Sequence, residues 1–91
     1  MQVEVSISPA TVNLGQPVTI SYSSSGCADV TLTIDNIPNP IDLGGDEMSG
    51  TFKVLPIIAG VFNVQITGSG KLNAANDYMP EITKNASCQV N

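Results

Sequence analysis

The sequence predicts an all-β fold of short strands, a sandwich or a barrel. Three observations predict it. Apolar and polar residues alternate with period two in five separate runs, the mark of strands with one buried face. Turn-forming residues punctuate those runs. No stretch sustains a helical period; the best candidate, Leu72 to Asn76, amounts to one short turn.

The runs follow one another along the chain. Val3, Val5 and Ile7 alternate with Gln2, Glu4, Ser6 and Ser8. Val18, Ile20 and Tyr22 alternate with Thr19, Ser21 and Ser23. Val30, Leu32 and Ile34 stand between Asp29, Thr31, Thr33 and Asp35. Phe52 and Val54 stand beside Thr51 and Lys53, and Phe62, Val64 and Ile66 beside Asn63, Gln65 and Thr67. Between them lie Ser8-Pro9, Gly15-Gln16-Pro17, Ser25-Gly26, Pro38-Asn39-Pro40, Gly44-Gly45-Asp46, Ala59-Gly60 and Gly68-Ser69-Gly70. Each fixes φ, admits positive φ, or bonds its own backbone, and so stops a strand. One apolar and one polar face suits antiparallel sheets with a wet side. Tyr22, Phe52 and Phe62 fall on the inward parity and are expected in the core.

With 91 residues the chain suggests one domain, residues 1–91, with a modest core. Hydrophobic residues make up 42% and charged residues 12%, which argues against intrinsic disorder. Eight acids stand against three lysines, giving a net charge of −5. Phosphate backbones and anionic membranes attract clustered Lys and Arg, so nucleic acid is not an expected partner and no direct membrane insertion is expected. No apolar run approaches the length of a membrane helix. The start alternates and shows no basic leader before an apolar block. Abundant Ser, Thr, Asn and Gly with sparse charge suggest an extracellular or cell-surface setting, the chain being a piece excised from a longer exported protein.

Three segments then line up. "LGQPVTISYS" from Leu14 looks like the start of strand B of an immunoglobulin-like domain. "SGTFKVLP" from Ser49 looks like strand E, and "AGVFNVQITGSG" from Ala59 like strand F with the hairpin after it. Together they resemble the bacterial immunoglobulin-like (Big or invasin-type) domains of multidomain surface and secreted proteins, over roughly residues 3 to 70, and the resemblance implies an immunoglobulin-like β-sandwich of about seven antiparallel strands in two sheets. Antibody-type domains carry cysteines on strands B and F and a tryptophan on strand C. Here Tyr22 and Val64 take the cysteine positions, tryptophan is absent, and Phe62 stands where the corner tyrosine would be. The rhythm is also loosely similar to cytoplasmic filamin-type repeats.

The chain has two cysteines, Cys27 and Cys88, and no histidine. A thiolate nucleophile needs a base or a positive field, and a standard zinc site needs more ligands. A disulfide or two inert thiols remain. In a seven-strand sandwich of the type resembled, the B–C and F–G loops share a pole. A Cys27–Cys88 disulfide is therefore expected, provided that strand G begins near Ala86 and residues 69 to 85 form a long F–G excursion. A strand G running from Glu81 to Asn91 would carry Cys88 to the opposite pole, too far for a bond.

Other candidates are weaker patterns. Asp42, Asp46 and Glu47 around Gly44-Gly45 offer oxygen ligands that suit calcium, with Asp35 and Asp77 also at loops. The "DLGGDE" spacing is not that of an EF-hand, and a solvated acidic turn is the plainer reading. Apart from calcium no cofactor is expected. Tyr78, beside Met79 and Pro80, escapes the inward parity and is a candidate ligand contact, or folds back over the end of the sandwich. Asn85-Ala86-Ser87 matches a glycosylation sequon, of a kind that chance supplies in an Asn- and Ser-rich chain.

The expected function is that of a non-catalytic extracellular structural or adhesion module, a spacer in a multidomain protein. Its expected partners are neighbouring domains of the same chain, or a host or cell-surface protein or glycan. A ligand- or carbohydrate-binding module using the B–C and F–G loops is one alternative. A cytoplasmic or phage-borne structural domain is another. Without histidine, activated nucleophile or cofactor motif, an enzyme is not expected.

Overall fold

A computed structural model describes residues 2–45, 47–70 and 81–91. Its described residues form eight strands and no helix. They are β1 (Gln2–Ser8), β2 (Thr11–Val12), β3 (Val18–Ser25), β4 (Asp29–Ile34), β5 (Ile41–Gly44), β6 (Met48–Val54), β7 (Gly60–Ser69) and β8 (Ile82–Val90). One sheet has the order β1-β3-β6 and the other β2-β8-β7-β4-β5. The apolar parity of each long strand supplies one side of a common core: Val3, Val18 and Ile20 from the first sheet, Val30, Leu32, Ile34, Phe62, Val64, Ile66 and Val90 from the second. The opposite parity is polar. Gln2, Glu4, Ser6 and Ser8 of β1 are all exposed, as are Asn63 and Gln65 of β7.

Seven antiparallel strands were a close but incomplete expectation. β2 is a two-residue strand that runs parallel to β8, with Thr11 opposite Gln89 and Val12 opposite Val90. It arises because Pro9, which has no N–H to donate, ends the first ladder. The chain then crosses to the second sheet, where Ala10 and Val12 carbonyls accept from Gln89 (2.9 Å) and Asn91 (2.9 Å). Leu14 N–H in turn donates to Asn91 (2.8 Å). Next, Gln16 closes a tight turn: its side-chain oxygen accepts from Asn13 N–H (3.0 Å) and its own N–H donates to Asn13 carbonyl (3.0 Å). Gly15 in that turn has φ +93°, which a residue with a Cβ adopts only with strain.

Strand β5 is the second addition. A turn ends β4, with Ile37 N–H donating to Ile34 carbonyl (3.2 Å) and Asn36 at φ +68°, and Ile41 and Leu43 then supply one short alternation, half-buried against the core. A bulge between Val30 and Thr31 lets this edge strand follow β4. The third difference concerns the last strand. It begins at Ile82, not near Ala86, and runs as an uninterrupted ladder along β7 from Gly68↔Ile82 to Gly60↔Val90.

Two places show why the sheets pack closely. Tyr22 lies across the strand pair from Gly50, where a Cβ would collide with its ring, and it stacks on Phe52 with centroids 5.5 Å apart at 25°. Such aromatic pairs add roughly 0.5–1.5 kcal/mol beyond the area they bury. Tyr22 and Phe52 are half-buried and pack on the core, whereas Phe62 is wholly inside it. The other close approach is at Gly68, beneath Cys27 and Val3.

The strands give the molecule two ends. At one lie Gln2, the β3–β4 turn, Gly44, Ser69 and Ile82; at the other lie Ser8, the β4–β5 and β6–β7 connections and Asn91. The first and last described residues therefore stand at opposite ends of a body 49 Å long and 20 × 16 Å across.

Candidate functional site

The expected disulfide does not form. Cys27 and Cys88 are both free and both buried. Cys27 Sγ sits 2.8 Å from the point where a Cβ on Gly68 would be, at the Gln2 end. Cys88 lies opposite Phe62 near the other end. From Phe62 to Gly68 is six residues of β7, or about 20 Å at about 3.4 Å per residue. A disulfide needs Cα atoms within roughly 7 Å. The pairing failed because its premise failed, since β8 starts four residues earlier than a bridge required. Both thiols instead behave as small apolar fillers. Cys27 is directed at the carbonyls of Gln2 (3.8 Å) and Ser25 (3.7 Å), and Cys88 at that of Gln89 (3.6 Å). We expect alkylation with intact mass to count two thiols after denaturation and none rapidly in the native state, and a reductant to leave Tm unchanged. A single modified population lacking both thiols, or a Tm that falls on reduction, would reinstate the bridge.

The acidic turn resolves into a different grouping. Asp42 Oδ1 accepts from Gly44 N–H at 2.9 Å, which is the main reason its carboxyl titrates below its ordinary value. Asp29, at the start of β4, shares a hydrogen bond with Asp42; that bond chiefly, then desolvation and the charge of Asp42, raises its carboxyl above the ordinary value. Glu47 is exposed and stands before β6 on the other sheet. No group of three or more candidate metal ligands exists among the described residues. Asp46, Asp77 and Tyr78, with the rest of 71–80, lie outside the described residues. Asp35 has a structural partner: its carboxylate accepts from Asn63 N–H at 2.8 Å and ties the β4–β5 connection to β7. Asn85 and Ser87 of the sequon are exposed on β8.

Two surface features were not foreseen. The first is a polar depression of about 520 Å³ on the outer face of the three-stranded sheet. Gln2, Glu4, Ser23, Ser25, Glu47 and Ser49 line it. It offers hydroxyls and two carboxylates. The second is apolar. Among the described residues, the exposed large hydrophobics are Leu14, Ile37, Leu55, Ile57, Ile58 and Val61. All six stand at the Asn91 end: Leu14 beside Asn91, Ile37 in the β4–β5 connection, Leu55, Ile57 and Ile58 in the β6–β7 connection, and Val61 opposite Gln89. Ile57 is 66% exposed and Ile58 61%, while Pro56 beside them is buried and anchors the loop. The signal in the sequence was Ile57-Ile58, two adjacent apolar residues between a proline and an Ala-Gly turn, outside any alternation.

Compared with family models, with curated proteins and with solved structures, the chain gives no match.

Proposed function

We propose that the chain is a non-catalytic immunoglobulin-like module that serves as a spacer or adhesive unit in an extracellular or cell-surface multidomain protein. The strand order supports the immunoglobulin-like reading. In that fold's lettering, β1-β3-β6 corresponds to A-B-E, and β8-β7-β4-β5 to G-F-C-C′ with β2 as a short A′. The absence of the interior disulfide and tryptophan is offset by Tyr22–Phe52 stacking and by Phe62.

The observation that carries the role is the apolar end. Monomeric surfaces scatter single apolar residues, whereas a cluster of this kind marks a contact. This one lies where the chain leaves the sandwich, at the end opposite to where it enters. Neighbouring domains are its proposed partners: the cap would dry the joint and set the angle of the next unit. A joint of this kind suits a tethered neighbour, which the linkage holds at high local concentration. Adhesion to a cell-surface protein or glycan would use the remaining polar surface.

The test joins two copies, Asn91 to Gln2, with a label on each. A narrow distance distribution is expected, which Ile57→Ser with Ile58→Ser broadens while Tm stays within about 1 °C, because both side chains are exposed. An equally broad distribution before and after would remove the joint. A second reading, a cytoplasmic or phage-borne structural domain, is favoured by the two free thiols. Lys53 and Lys84 are exposed, so a membrane-impermeant amine reagent on intact source cells separates the two. Labelling before lysis favours the first reading and labelling only after lysis the second.

A further inference from the structure

Strand β6 is bonded to β3 on one side, and no strand among the described residues pairs with its other side. An edge of this length presents a row of backbone donors and acceptors that proteins ordinarily cover, twist away or guard with charge. The alternation along β6 is regular. Ser49, Thr51 and Lys53 are exposed, while Met48, Gly50, Phe52 and Val54 are half-buried. Ile41 and Leu43 of β5, the edge of the other sheet, are half-buried on the same flank. The flank is thus an incompletely covered apolar seam beside an unused ladder.

The charges along this edge are what identify its occupant. Glu47 and Lys53 are the charged residues of the segment 47–53, and they stand three residues either side of Gly50. An antiparallel copy related by a two-fold axis at Gly50 pairs residue i with residue 100 − i. Glu47 then meets Lys53 of the second copy, and Lys53 meets its Glu47, giving two opposite-charge pairs on one face. Phe52 falls opposite Met48, a favourable sulfur–aromatic pairing, and Thr51 opposite Ser49. Gly50 meets Gly50, so no Cβ obstructs the axis. Shifting the axis by one residue, to Thr51, sets Lys53 against Ser49 and separates the charges. An axis at Lys53 opposes two lysines. Because side-chain parity has period two, these registers are distinct and the charges select among them.

We infer that β6 is a self-association edge. A second copy of this chain adds antiparallel across it with its two-fold axis at Gly50, forming a continuous six-stranded sheet β1-β3-β6-β6-β3-β1. Such an interface is isologous and closes as a dimer. It is lateral, and it leaves the apolar end free, so it stands independently of the end-to-end role proposed above.

Sedimentation across a concentration series of the wild-type chain, with variants at these two exposed positions, tests the inference. The wild type is expected to pass from monomer to dimer, and amide exchange over 48–52 to slow as it does. Lys53→Glu places four acids along the paired edges, and Glu47→Lys places four bases. Each variant alone is expected to weaken dimerisation at least tenfold while remaining folded by circular dichroism. An equimolar mixture restores both charge pairs and is expected to form the heterodimer, and the double variant E47K/K53E to recover the homodimer. A wild type that stays monomeric up to millimolar concentration overturns the inference. So do single variants that associate as strongly as the wild type, or a mixture that does not recover.

Discussion

Gly68→Ala is expected to lower Tm by roughly 4–24 °C, corresponding to an overpacking cost of about 1–3 kcal/mol. Gly68 lies on the inward parity of β7, opposite Val30 on one side and Ile82 on the other. A Cβ there would stand 2.8 Å from Cys27 Sγ, 2.9 Å from Val3 Cγ1 and 3.5 Å from Ile82 Cγ1. Those three residues belong to the β3–β4 turn, to β1 and to β8, so the collision forces both sheets and the turn apart together. Ala28 N–H, which donates to Ser69 carbonyl at 2.8 Å, would be drawn into the shift. A double-mutant cycle with Cys27→Ala isolates the cause. Cys27→Ala alone removes a buried sulfur and costs stability, but in the Gly68→Ala background it relieves the shortest contact. The two costs should therefore sum to less than additive by at least about 0.5 kcal/mol. Thermal unfolding of the four proteins measures it, and additive costs, or an unchanged Tm for Gly68→Ala, would show that Gly68 is not a contact point between the sheets.

This packing also explains why the cysteines misled a reading of the sequence. Cys27 sits where a small side chain must fill the space over a glycine, and nothing in "SYSSSGC" distinguishes that from one half of a bridge. The last strand was equally hard to see. Its inward positions are Ile82, Lys84, Ala86, Cys88 and Val90, and Lys84 breaks the apolar alternation. Lys84 is tolerated because β2 covers only the final two residues of β8, so the side chain escapes to solvent beside the uncovered stretch. The long strands β1, β3, β4, β6 and β7 were legible because both their faces are well defined, one to the core and one to water. β2 and β5 were not, because two and four residues carry too little periodicity to outweigh the prolines beside them.

The surface was less legible than the core for a related reason. Burial imposes a period, and a period can be read along one chain. The apolar end is assembled from Leu14, Ile37, Leu55, Ile57, Ile58 and Val61, spread over four separate segments that come to one end only once the sheets have formed. The Asp29–Asp42 pair likewise joins β4 to β5, a pairing that follows from a bulge. In each case the chemistry depends on register, and register is set by the whole sheet.

Phe62→Ala is expected to cost about 3–5 kcal/mol, the largest loss of any single truncation in the chain. Phe62 is 2% exposed and is the largest of the fully buried side chains. It occupies the Asn91 half of the core, opposite Cys88 on β8, and both cysteines are free, so no disulfide shares the task of holding the sheets there. At roughly 0.05–0.15 kcal/mol per residue, a chain of this length has a total stability of about 5–14 kcal/mol, so the truncation removes a large fraction of it. Urea unfolding measures the loss, with a falling midpoint and a nearly unchanged slope if the variant still folds as one cooperative unit. Phe62→Leu, which keeps much of the volume, should cost markedly less. The contrast between the two variants separates lost volume from lost aromatic character. Equal losses would place the weight on the ring itself, and a loss below about 1 kcal/mol for Phe62→Ala would mean that the two sheets are not packed through this residue at all.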